Sequence, residues 1–136
     1  MIQRVQTLWL LLAAICAFLS FKFGFYTGTN SKNIASYELK AGETFLLMLV
    51  TVLTAITALC CIFLFKKRGL QLWLCTLGII LEIVLVFLYY REKQSFSTGT
   101  YTLASIVHPV ILLAFFMAIR GIYKDEKTVK ESDRLR

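Results

Sequence analysis

The sequence predicts an all-α membrane protein, a bundle of four transmembrane helices with both termini in the cytoplasm. Three observations lead to this fold class. Hydrophobic residues make up 58% of the 136 residues and charged residues only 17%, which is too apolar for an ordinary soluble domain. The apolar residues fall into four runs of membrane-spanning length, and the basic residues gather on one side of those runs.

The four runs cover residues 5–26, 44–65, 69–90 and 101–123. Each holds about 22 residues, and a helix needs roughly 20 to cross ~30 Å of hydrocarbon. A bundle in water would need polar outer faces, whereas these runs are apolar nearly all round. We therefore expect residues 1–123 to form a transmembrane domain and residues 124–136 a charged cytoplasmic tail. The first run should be a retained helix, because its apolar segment exceeds the about 7–15 residues of a signal peptide.

Lysine and arginine predict the orientation. One side of the runs carries ten basic residues, namely Arg4, Lys66, Lys67, Arg68, Arg120, Lys124, Lys127, Lys130, Arg134 and Arg136. The other side carries five, namely Lys22, Lys32, Lys40, Arg91 and Lys93. The richer side is expected to be cytoplasmic. We expect no nucleic-acid binding, because such a surface would interleave its basic residues with stacking aromatic residues.

The loops differ in length. The segment KKRG is so short that the second and third helices should form a tight antiparallel hairpin. The segment REKQSFSTGT forms a loop of moderate length on the other side. The longest loop is TGTNSKNIASYELKAGE, and its NIASYELKA part fits an extended stretch or a short helix equally well.

One carboxylate interrupts the apolar third run. Glu82 lies on a stripe of small and polar residues at helical spacing, with Gln71, Cys75 and Gly78, so it should face protein and not lipid. It lies about 12 Å below the boundary marked by Tyr90, at 1.5 Å per residue. His108 on the fourth run lies ~10 Å below the same boundary. The two side chains should therefore meet, with Lys22 of the first helix as a third candidate partner.

Ionisable groups inside a membrane are expensive and suggest function. A pair of Glu82 and His108 could carry a proton or bind a cation. Alternatively, a neutral Glu82 hydrogen-bonds to His108, Ser or Thr and fixes the register of the helices. Pro109, the only proline, removes one backbone hydrogen bond and predicts a kink in the fourth helix.

Sites for catalysis and metals are not evident. The four cysteines lie inside the predicted helices without CxxC spacing or a neighbouring histidine, so we interpret them as small core residues. The chain lacks GxSxG and HExxH motifs. We expect no enzymatic activity, no cofactor and no metal.

The charged tail differs in character from the rest of the chain. Its Glu126–Lys130 spacing suits a helix, and TVKE fits a capping box. A helix that continues from the membrane and one that restarts at Thr128 are both consistent with it. A lipid-binding tail would be more purely basic, so the near balance of charges leaves two interpretations, a solvated and partly frayed end or a protein-docking segment. Its candidate docking residues are Lys124, Asp125, Glu126, Lys127, Asp133, Arg134 and Arg136.

The two ends of the chain carry a family resemblance. The segments MIQRVQTLWLLLA and DEKTVKESDRLR resemble the ends of domain-of-unknown-function family 4293, a membrane family of Bacteroidota, and the similarity extends to length and helix order. It implies a four-helix bacterial inner-membrane protein without an assigned activity. Some members are labelled as the Rho transcription terminator, but this sequence has no GxxxxGK[ST] phosphate loop.

Two functions follow as expectations. The first is an accessory or scaffold subunit of an envelope or translocation complex, which acts by binding other membrane or cytoplasmic proteins. The second is a small proton- or cation-coupled transport protein that uses Glu82 and His108. Four short helices leave little room for an alternating-access pathway, and transporters of this size usually need a second copy or a second half. The sequence leaves self-association open.

Overall fold

The computed structural model describes residues 2–30, 32 and 35–135. Within these residues the chain forms four α-helices, namely α1 (Ile2–Lys22), α2 (Phe45–Phe63), α3 (Arg68–Lys93) and α4 (Val107–Arg134). They also include three short strands, namely β1 (Tyr26–Asn30), β2 (Tyr37–Leu39) and β3 (Phe96–Tyr101). Each of the four helices is long and apolar enough to cross a membrane. This confirms the four predicted apolar helices and is consistent with a multi-pass membrane protein.

The helices form a closed ring in which each packs against its neighbours in sequence and α1 packs against α4. Strand β1, which follows α1, pairs with β2, which precedes α2, and with β3, which joins α3 to α4. These helix ends therefore meet at one end of the bundle, the sheet end, and consecutive helices run antiparallel. The first residues of α1, the last residues of α4 and the α2–α3 turn lie at the opposite end, the terminal end.

Small side chains bring the helices close together. Fully buried small residues occur on all four helices, namely Ala13, Ala58, Cys75, Ala114 and Ala118. At Gly78 an added Cβ would lie 2.7 Å from the ring of Phe115 on α4, so α3 and α4 approach closely at that level. Small residues permit such contacts between membrane helices, and the predicted stripe of α3, from Gln71 to Glu82, is buried throughout.

The sheet was not predicted. Its strands are antiparallel in the order β2-β1-β3, and the two Thr-Gly-Thr triplets at residues 27–29 and 98–100 pair with Gly28 opposite Gly99. An added Cβ on Gly99 would lie 2.6 Å from the Thr27 carbonyl oxygen, so the close approach of these strands requires glycine there. The undecided part of the long loop contains β2, which is extended.

The side chain of Lys93 connects the sheet to the end of α3. Lys93, the last residue of α3, donates a hydrogen bond of 2.8 Å from Nζ to the Tyr101 hydroxyl. The same Nζ lies 4.4 Å from the centre of the Tyr101 ring and 5.4 Å from that of Tyr26. Hydrogen bonding and cation–π attraction together hold β1 and β3 against the end of α3.

The start of the fourth helix differs from the prediction. A 3₁₀ turn, Leu103–Ile106, precedes α4, so Pro109 is the third residue of α4 and not an interior residue. Proline is well tolerated in the first turn of an α-helix, where its missing N–H costs little; a kink at Pro109 stays a prediction. The first helix also ends earlier than predicted, at Lys22.

The helix α4 continues without a break through the predicted boundary at residue 124 and ends at Arg134. The sequence allowed a helix that continues from the membrane or one that restarts at Thr128, and the structure contains the continuing helix. Thr128 does not cap a new helix, because its hydroxyl donates to the Lys124 carbonyl one turn earlier, at 3.0 Å. The predicted hairpin between α2 and α3 is present, with a turn at residues 64–67.

Candidate functional site: a buried glutamate–histidine pair

The structure brings Glu82 and His108 into contact inside the bundle. Glu82 Oε1 and His108 Nδ1 are 2.7 Å apart, and the two side chains are 0% and 2% exposed. Glu82 is on the buried stripe of α3, and His108 is the second residue of α4. Because these helices are antiparallel and adjacent, residues at matched depth face each other, which is the geometry that the sequence suggested.

Aromatic rings cover this pair on the side of the sheet. The ring of Phe25 stacks on that of Tyr89, with centroids 4.6 Å apart and an interplanar angle of 21°. The centroid of the His108 imidazole is 5.4 Å from that of Phe25 and 4.9 Å from that of Tyr89. The histidine ring is therefore enclosed by aromatic faces and edges, which keep water away and limit its rotation.

The sheet fixes this aromatic cover. The N–H of Phe25 donates to the Leu39 carbonyl at 2.8 Å, and the N–H of Thr102 donates to the Phe25 carbonyl at 3.2 Å. The backbone of Phe25 is thus held from two sides, between β2 and the chain that leaves β3. The small sheet thereby positions a side chain that touches the buried pair.

Lys22 does not join the pair. It ends α1, is exposed, and makes no ion pair with Glu82 within the described part of the chain. The chain leaves the helix at Lys22 instead of continuing to residue 26, so its side chain lies at the sheet end, beyond the level of the pair. A lysine at a helix end keeps its ammonium group in the polar boundary region.

When it carries no net charge, the pair has two protonation arrangements with the same contact. A neutral Glu82 donates its O–H to Nδ1, or an ionised Glu82 accepts N–H from an imidazolium. Burial opposes the two separate charges, and their mutual attraction favours them. The second carboxyl oxygen, Oε2, is buried and has no hydrogen-bond partner in the described structure. An unpartnered buried oxygen is unusual, and it leaves one position free for a proton or a small cation.

Threonines of α2 add polar groups to the same interior. Three of them are buried, namely Thr51, Thr54 and Thr57. Each hydroxyl donates to a carbonyl of its own helix, at distances of 2.7 to 2.9 Å. Their donors are therefore used, so these residues supply only acceptor oxygens to the interior.

Membership of a family now follows from comparison. The model of the family described as Domain of unknown function (DUF4293) matches residues 2–135. The chain belongs to this family. No curated protein and no solved structure matches the chain. For this DUF4293 protein, residues with a function must therefore be inferred from the chemistry of its own side chains.

The buried cysteines of this DUF4293 protein pack as core residues. Cys61 Sγ and Cys75 Sγ are 3.6 Å apart, and Gln71 Nε2 donates to the Cys61 carbonyl at 3.0 Å. These contacts join α2 to α3 near their turn. Among the described residues, no group of three or more His, Cys, Asp or Glu side chains is arranged to hold a metal ion.

The candidate docking residues lie on the last turns of α4. Asp125 pairs with Arg68 of α3 at 3.8 Å, and Glu126 pairs with Lys130 at 2.8 Å. Lys127 lies 3.9 Å from Glu131. The other candidate docking residues that the structure describes are exposed, namely Lys124, Asp133 and Arg134. Arg136 lies outside the described residues.

Sequence reasoning missed the aromatic cover. Tyr89 carried a signal, because it lies seven residues after Glu82 and so on the same face of α3. Phe25 carried none, since it reaches the pair from an irregular segment whose position depends on the sheet.

Proposed function

We propose that this DUF4293 protein is a non-enzymatic protein of the bacterial inner membrane that serves as an accessory or scaffold subunit of an envelope or translocation complex. It binds its protein partner at the terminal end, through the projecting last turns of α4. The observation that carries the proposal is a cleft, shallow and wide open to its surroundings, between these turns and the α2–α3 turn. Its lining residues are Phe65, Lys66, Arg68, Glu126 and Val129, and its volume is about 500 Å³.

The cleft exists because α4 is longer than the bundle. Its last buried residue is Ile122, and the helix continues for twelve more residues, or about 18 Å at 1.5 Å per residue. The Asp125–Arg68 ion pair holds this extension against α3. The extension adds little to the core, so its maintained position beside the turn supports a role in binding.

The lining of the cleft suits a protein segment. Phe65 and Val129 are 53% and 42% exposed, so the rest of the protein leaves two apolar side chains at the terminal end uncovered. Lys66 lies over the Phe65 ring at 5.9 Å and has no carboxylate partner among the described residues. A complementary partner would insert an apolar side chain and place a carboxylate beside Lys66, as helix-in-groove complexes do.

The distribution of basic residues supports a cytoplasmic position for this cleft. Of the ten basic residues that the positive-inside rule assigns to the cytoplasm, the nine that the structure describes lie at the terminal end. A partner for this surface would therefore be a cytoplasmic protein or the cytoplasmic part of a membrane protein.

A matched pair of variants tests the docking proposal. Val129→Glu places a carboxylate inside the cleft, whereas Thr128→Glu places the same charge one residue earlier, outside the residues that line it. After mild solubilisation and affinity purification, we expect Val129→Glu to lose a stoichiometric partner that the unchanged chain and Thr128→Glu both retain. Equal recovery from both variants would contradict the cleft as the docking site, as would equal loss.

A second function is favoured by one observation, the unpartnered Oε2 of Glu82. We propose proton or small-cation coupling as the alternative, with the Glu82–His108 pair exchanging one proton between carboxyl and imidazole. The low dielectric of the interior would make this exchange sensitive to an arriving charge. Substitutions of Glu82 separate the two functions and are argued below.

A further inference from the structure

We propose that a groove between α1 and α4 at the terminal end binds the headgroup phosphate of an anionic phospholipid. The groove has a volume of about 310 Å³. Its polar lining comes from Gln6, Arg120 and Lys124, and the aromatic ring of Trp9 forms part of its wall. Basic pockets between transmembrane helices on the cytoplasmic side are the usual setting for such headgroups.

The donors of this groove are unused. Gln6 is 7% exposed, and its Nε2 is buried without a hydrogen-bond partner. Arg120 and Lys124 make no ion pair within the described residues, whereas three other basic residues of the terminal end do, namely Arg68, Lys127 and Lys130. An unsatisfied buried amide is costly, so an acceptor between these three side chains would stabilise the site.

Gly121 gives the groove its shape. An added Cβ at this position would lie 2.8 Å from Gln6 Cγ. The amide side chain therefore packs directly on the backbone of α4, between the cations that precede and follow Gly121 by one and three residues. This packing restricts the rotamers of Gln6 and directs its amide to the level of Arg120 and Lys124.

The groove lies at the expected height of the lipid phosphates. Arg120 and Lys124 come 17 and 21 residues after Leu103, where the fourth apolar span begins, or about 25 and 31 Å at 1.5 Å per residue. The two cations therefore lie on either side of the end of a hydrocarbon layer of ~30 Å, next to the phosphates. Trp9 belongs to the aromatic residues that favour this boundary. A phosphate bound here would keep its acyl chains in the hydrocarbon.

A second groove extends the site along the outside of α4. It has a volume of about 420 Å³ and shares Arg120 and Lys124 with the first, while Phe116, Ile119 and Tyr123 form its apolar wall. The two cations therefore lie between two grooves with apolar walls. This arrangement suits an amphiphile with a phosphate and acyl chains better than a free phosphate ion.

The test uses the purified full chain in detergent, titrated with phosphatidylglycerol, with phosphatidylcholine of the same acyl chains, and with inorganic phosphate. Thermal stabilisation reports apparent affinity by mass action. We expect phosphatidylglycerol to stabilise the chain most. The double variant Arg120→Gln/Lys124→Gln should weaken its binding by about tenfold or more. The control Lys66→Gln/Lys67→Gln removes two charges at the same end but outside both grooves, and should change affinity by less than about threefold.

Three results with these ligands and variants would overturn the proposal. An equal loss in the control variant would show diffuse attraction to the whole terminal end. Equal stabilisation by phosphatidylcholine would remove the preference for anionic lipid, and competition by inorganic phosphate at the same concentration would identify a free ion as the ligand. Gln6→Leu keeps the size of the side chain, so it serves if the double variant does not fold, and unchanged affinity in it would refute the amide as a donor. The result is independent of the docking cleft, because neither groove contains Val129.

Discussion

At the scale of single residues, Glu82 is the position where a substitution is most informative. Its Oε1 contacts His108 at 2.7 Å between buried side chains, so the effect of a replacement depends on whether His108 keeps a hydrogen-bond partner. A glutamine keeps an amide that accepts or donates a hydrogen bond, without the charge. A leucine has similar bulk and leaves the imidazole without that partner.

We therefore expect Glu82→Gln to retain the stability of the fold and the recovery of the partner. Glu82→Leu should lower the free energy of unfolding by about 1–3 kcal/mol, the cost of an unsatisfied buried group. Thermal unfolding in detergent measures both, with Glu92→Gln, at a partly exposed carboxylate near the end of the same helix, as the control. If glutamine destabilised as much as leucine, the contact would depend on charge and not on hydrogen bonding. If glutamine abolished a proton-coupled activity while stability was kept, the second function would be favoured.

At the scale of elements, the sheet is small, but it positions a side chain of the buried site. It places Phe25 over His108 through two backbone hydrogen bonds, so the order of the aromatic cover depends on the pairing of β1 with β3. That pairing in turn requires the close approach of Gly28 and Gly99. The sheet is thus the link between the loops and the buried pair.

Gly99→Ala tests this link. The added methyl group would meet the Thr27 carbonyl and the Tyr26 ring at 2.6 Å, so the strands must separate, and we expect a loss of about 1–3 kcal/mol, as overpacking typically costs. Gly42→Ala is the matched control, because no atom lies within 4 Å of the added carbon. Its expected effect is within about 0.5 kcal/mol. Similar unfolding temperatures for the two variants would contradict a structural role for the glycine pair.

At the scale of the whole molecule, the predictable features were those that follow from the bilayer. Hydrocarbon thickness sets helix length, so four apolar runs gave four helices. Helical periodicity put Glu82 on the buried face, and its depth matched that of His108. The sheet, the 3₁₀ turn before Pro109 and the position of Phe25 depend on contacts between distant segments, and no local pattern encodes them. The continuation of α4 past Ile122 was one of two alternatives, because the tail's charges suit a helix with or without a break.

The orientation of the whole molecule is the last prediction. Among the described residues, nine basic residues lie at the terminal end and five at the sheet end, and positive residues in short loops resist translocation. We expect a reporter fused after Arg136 to be cytoplasmic and one inserted between Asn30 and Tyr37 to be periplasmic. The insertion falls between β1 and β2, so it leaves α1 and α2, which flank these two strands in sequence, intact. Alkaline phosphatase and fluorescent-protein fusions at the same two positions give opposite signals, so each controls the other. A periplasmic signal after Arg136 would place the cleft, the lipid grooves and the end of α4 on the wrong side for the partners and lipids proposed here.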